Sequence, residues 1–97
     1  MARLNQIGSY KTTVHTEKES GDTVVILYET EVVRFNNQSV SLESGGWKTN
    51  TTKTRMNQTS NQFNLGFTVF QKNFDWFVQF RGGEVVEFQD GMTFDRS

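Results

Sequence analysis

Three dipeptides in the last third of the chain, Lys72-Asn73, Gly82-Gly83 and Asp90-Gly91, cut it into apolar runs of about half a dozen residues or fewer. No proline occurs anywhere in the 97 residues. Proline would remove a ladder hydrogen bond, so its absence leaves every short run free to pair as a strand. The runs 67–71, 75–80, 84–89 and 92–95 therefore read as an antiparallel meander. Two-residue loops predict Val69 opposite Trp76 and Phe67 opposite Val78, then Phe80 opposite Val85 and Arg81 opposite Glu84. Asp90-Gly91 is among the strongest short hairpin signals and predicts β-pairing across it.

The first half obeys the same grammar. Residues 10–18 alternate weakly, as a half-exposed strand does. Thr23-Val24-Val25-Ile26-Leu27-Tyr28 is apolar on both faces and reads as the central strand. A turn at Asn37-Gln38 would set Phe35 opposite Val40 and Val33 opposite Leu42, apolar on apolar. After Gly45-Gly46 the period changes. Thr52, Met56, Thr59 and Phe63 recur at helical spacing, with Thr49 or Asn50 as N-cap and Gly66 just past the end. Thr and Asn are weak helix formers, so a helix over 51–63 needs Met56 and Phe63 to dock.

The expectation is a mainly β, α+β domain spanning 1–97, with 1–8 as an arm. It has six to eight short strands in a strongly bent antiparallel sheet or a partly open SH3- or Sm-like barrel, and one short helix. Phe70, Phe77, Val86 and Phe88 fall opposite the first apolar set, and one sheet face cannot bury both. The excess is covered by barrel closure or by a second copy, which makes a homo-oligomer an expectation.

Charge is segregated. Residues 44–74 hold no Asp or Glu but carry Lys48, Lys53, Arg55 and Lys72, while the whole chain has a net charge of −1. A basic segment with hydroxyls, amides and one large aromatic suits a phosphate-bearing partner such as RNA or single-stranded DNA. The candidate contacts are Trp47, Lys48, Lys53, Arg55 and Asn57, the charges meeting phosphate and Trp47 stacking on a base. The competing reading is an amphipathic cap with a polar outer surface. Four cations in an acidic chain are few for a nucleic-acid domain.

Catalytic chemistry finds little purchase. There is no cysteine, which excludes disulfides, a thiol nucleophile and thiolate metal sites. His15, the single histidine, has Glu17 two residues along on the same strand face, a base with an orienter or simply a solvated pair. The acidic residues Glu84, Glu87, Asp90 and Asp95 lack calcium-loop spacing. Gly45-Gly46 matches no nucleotide-binding glycine loop. Neither a signal-peptide core nor a membrane-length apolar run occurs. The expectation is thus a non-enzymatic protein without metal or cofactor, away from the membrane and in a cytoplasm.

The run Ser44-Gly45-Gly46-Trp47-x-Thr49-x-Thr51-Thr52-Lys53-x-Arg55-Met56-Asn57-Gln58, with Phe67-x-Val69-Phe70-Gln71, Trp76-Phe77-Val78 and the earlier Phe35-Asn36-Asn37-x-Ser39-Val40-x-Leu42, resembles small uncharacterised proteins of tailed bacteriophages, marine phages among them. The resemblance spans about residues 23–80 and implies a phage setting, hence a host cytoplasm or a virion. It carries no activity. The function it leaves is a phage accessory binding module, with a purely structural or protein-interaction role in the virion or on a host factor as the alternative.

Overall fold

The computed structural model describes residues 7–96. The chain runs β1 (Thr12–Thr16), β2 (Thr23–Leu27), β3 (Thr30–Phe35), β4 (Ser39–Leu42), α1 (Asn50–Phe63), β5 (Phe67–Lys72), β6 (Asp75–Phe80), β7 (Val85–Glu87) and β8 (Met92–Asp95). The mainly β composition with one short helix is as the sequence predicts. The strands form two antiparallel sheets, β1-β2-β3-β4-β8 and β5-β6-β7, and not a closed barrel. The N-terminal arm falls largely outside the described residues. Ile7 and Gly8, within them, dock on α1 by donating their amides to Gln62 and Gln58.

The Asn37-Gln38 hairpin has the predicted register, with Phe35 opposite Val40 and Val33 opposite Leu42. The next three turns differ from expectation. The β5–β6 turn is Asn73-Phe74, both in the left-handed region, so Val69 faces Val78 and Phe67 faces Phe80. That slip of two residues keeps every side chain on its expected face. The β6–β7 loop holds three residues, Arg81-Gly82-Gly83, with Gly83 at positive φ. Phe80 therefore meets Glu84, and Val78 faces Val86. A slip of one flips a strand. Val86 turns to the core, and Val85 and Glu87 face outward.

At Asp90-Gly91 the chain does turn, the Met92 amide bonding the Gln89 carbonyl at 3.1 Å, but it does not fold back on β7. Asp90 accepts the Ser44 amide at 2.7 Å and the Gly91 amide bonds the Leu42 carbonyl. These bonds hand the chain to the other sheet, where Val40 faces Phe94. The middle strand of that sheet is consequently β3, with β2 one place in from the edge. This handover replaces the anticipated barrel closure.

The core lies between the two sheets and under α1. Phe94 meets Phe67 and Phe80 at ring separations of 5.6 and 4.9 Å, and Trp76 meets Phe88 at 5.4 Å. Phe88 is buried, so of the second apolar set only Phe70 and Phe77, stacked on each other, remain on the outer face of the small sheet. The helix holds despite its poor propensity because both ends are capped and one face docks. Thr49 Oγ1 accepts the Thr52 amide at the start. At the end Asn64, not Gly66, takes the first left-handed position. Met56 is fully buried and Phe63 packs on Phe35 at 4.8 Å.

Candidate binding cleft

The residues between Gly45 and Ser60 are positioned by two constraints. Gly45 has φ +64, and a Cβ there would come within 2.5 Å of Thr30 Oγ1, so only glycine allows the chain to leave β4 this way. The helix then runs antiparallel to β5, with its side chains against that strand's outer edge. Asn57 Oδ1 accepts the Val69 amide at 2.7 Å, and its Nδ2 donates to the Val69 carbonyl at 2.9 Å. One turn on, Ser60 Oγ accepts from the Phe67 amide and donates to the Phe67 carbonyl. Two side chains thus supply the ladder a neighbouring strand would have made, and seal an edge otherwise open to pairing.

The five sequence-derived site residues do not share one surface. Trp47 is 70% exposed. Lys48 is exposed, with its ammonium 5.6 Å from the Phe88 ring centroid. Lys53 is half-buried. Arg55, by contrast, is only 7% exposed. Its guanidinium donates to Thr12 Oγ1, Gln58 Oε1 and the Tyr10 carbonyl, and so fixes the chain before β1 onto the helix. Asn57 spends both ends of its amide on β5. Arg55 and Asn57 therefore lie inward, not on a surface open to the phosphate-bearing partner expected to meet them. The clue was available: Thr52, Arg55 and Thr59 follow the same i, i+3, i+7 stripe as the docking face, but polar residues are not counted as core by an apolar pattern.

Beside Trp47 opens a cleft of about 780 Å³. Leu27, Val32 and Thr52 form its buried floor, and Tyr28, Glu29, Trp47 and Thr49 its exposed rim. Tyr28 is 62% exposed and stands at the β2–β3 turn with φ 56. That conformation normally belongs to glycine and costs a bulky residue on the order of 1–3 kcal/mol. Tyr10 braces it edge-on, ring centroids 6.4 Å apart, and their hydrogen bond raises the Tyr28 phenol above its usual pKa. The sequence reading placed Tyr28 at the end of its central strand and did not single out Glu29. The available signal was a tyrosine followed at once by turn residues. Phe74, at the β5–β6 tip, is a second aromatic in the left-handed region and 93% exposed.

Glu17 feels the charge of His15, but its hydrogen bonds go elsewhere. Glu17 instead accepts from Arg34 at 2.6 Å, and Asp22 and Glu31 also bind that guanidinium. The Arg34 hydrogen bond holds both the Glu17 and the Asp22 carboxyl below the usual carboxylate range. Among the described residues no group of three metal-ligating side chains gathers, and no helix is long and apolar enough to cross a membrane.

Fold and cleft together define a small two-sheet antiparallel β protein with one helix sealing the edge of the smaller sheet. Its family is a phage one: residues 1–95 match the family model described as Kyanoviridae Gp96 protein, and the chain belongs to that family. No curated protein matches the chain, and no solved structure does.

Proposed function

We propose that this chain is a non-enzymatic phage accessory protein that works by binding a partner at the Tyr28–Trp47 cleft. The observation that carries the reading is the pair of large aromatics held in solvent on one rim, one of them in a strained backbone conformation. Exposed apolar surface of this kind is uncommon without a use, and strain persists where surrounding structure maintains it. A photo-crosslinking residue placed at Trp47 tests it in infected host cells, with one at Thr13 on β1 as control. An adduct at 47 that is missing at 13 is the expected result, whereas no adduct at 47 overturns the reading.

A nucleic-acid partner is the second reading, favoured by Lys48 next to an exposed Trp47. Its cationic surface is smaller than the sequence suggests, because Arg55 is buried and Asn57 is occupied. Phosphate contact would show as affinity falling steeply with salt through counterion release. Titration with single-stranded RNA and DNA at low salt without binding ends this version.

A further inference from the structure

We infer that the ligand of this cleft is a saccharide, a short uncharged oligosaccharide laid against Trp47 and Tyr28; the inference rests on the cleft reading above. The argument is one of chemical fit. Two exposed aromatic side chains stand on one rim, Trp47 at 70% and Tyr28 at 62% exposure, the latter braced by Tyr10, and each offers flat apolar surface to solvent. A sugar ring presents such a surface on its C–H face and would cover them without charge. Hydroxyls line the rest: Thr30 and Thr51, with Ser44, Thr49 and Thr52 beside them already bonded within the chain. Hydroxyls both donate and accept, which matches a partner whose own groups do both.

Charge narrows the class further. Among the described residues lining the cleft, Glu29 alone is charged, and no Lys or Arg lines it. An anionic ligand would meet that carboxylate without a cation to receive it. A cationic ligand would meet the positive N-terminal end of α1, which carries no acidic residue in its first turn. A neutral ligand with many hydroxyls suits both features, since Glu29 accepts from it in a charge-assisted bond and the helix end donates to it. The volume lies within the range of about 300–1,000 Å³ usual for ligand sites.

The test uses the full chain carrying Trp76→Phe, which leaves Trp47 as the sole indole, with folding checked by circular dichroism. Cellobiose, maltotriose, diacetylchitobiose and a glycan array are the probes, read by Trp47 emission. Saturable binding of at least one glycan is expected, nearly unchanged when salt is raised and weakened about tenfold by Glu29→Gln; in the chain that keeps Trp76, Trp47→Ala should abolish the amide shifts the same glycan causes. Amide shifts at Thr51 and Thr52 in the unsubstituted protein give a second readout, independent of the tryptophan change. A blank array with no amide shifts overturns the inference. So does perturbation by oligonucleotide or peptide alone. If crosslinking at Trp47 still succeeds in those cases, the cleft remains a binding surface for another class; if it too fails, both readings fall.

Discussion

Residues 47–49 and residues 55–60 belong to one acid-free stretch of similar polar composition, yet the fold uses them in opposite ways. Arg55, Asn57 and Ser60 are turned inward and bonded to backbone or to buried side chains. Trp47 and Thr49, a few residues upstream, stand at an open cleft. The difference lies in what each is placed against. The helix lies along β5, whose unpaired amides and carbonyls must be satisfied, so polar side chains there become structural. The loop before it borders no such edge, and Trp47 there stays 70% exposed. Polarity alone is therefore no guide to a working surface; the demand of neighbouring backbone decides.

The comparison can be broken most forcefully at Ser60. Ser60→Ala leaves the Phe67 amide and carbonyl without a partner, and about 2–3 kcal/mol of stability should be lost, near 10 °C in Tm. Asn57→Ala removes the equivalent pair at a half-buried site and should cost about 1–2 kcal/mol. It should also raise self-association in sedimentation, since the β5 edge is then open.

Acid gives the next contrast, because the stretch from 44 to 74 has no carboxyl to titrate. Glu17 and Asp22, whose carboxyls Arg34 holds low, contribute stability that is complete above the ordinary carboxylate range. It is lost as pH falls through their depressed folded values. Arg34→Met should therefore lower the urea midpoint at pH 7 and flatten its fall between about pH 5 and 2. An unchanged acid limb would move the sensitivity elsewhere.

The smallest effect is expected at the cleft. Trp47→Ala should alter stability by less than about 0.5 kcal/mol while removing partner capture. If it destabilises as much as Ser60→Ala, the two regions are not different in kind.

Much of this architecture was legible in the chain. Strand existence followed from the alternation and from the absence of proline, and the helix from the stripe of Thr52, Met56, Thr59 and Phe63. Registers were less secure, since Asn73-Phe74 and Arg81-Gly82-Gly83 use left-handed residues that composition does not pin to one loop length. The destination of β8 was out of reach: Asp90-Gly91 encodes a turn but not the strand met afterward, which the Ser44 amide decides from far along the chain. The candidate site was half legible. Trp47 was found by its isolation, while Arg55 and Asn57 were misplaced because their partners, Thr12 and β5, are set by the tertiary fold.

The seam between β4 and β8 bears on the order in which the molecule assembles. The hydroxyls of Ser41 and Thr93 that meet across it are 52 positions apart in the chain. Closing a flexible loop of that length costs about 3.5 kcal/mol of chain entropy by the logarithmic scaling. The hairpins up to β4 and the meander between β4 and β8 can form from neighbours alone, but this contact has to wait for both. On a ribosome the larger sheet would keep a raw edge at β4 until β8 emerged. Slow closure of that one seam, more than the making of either sheet, would then set the pace of folding.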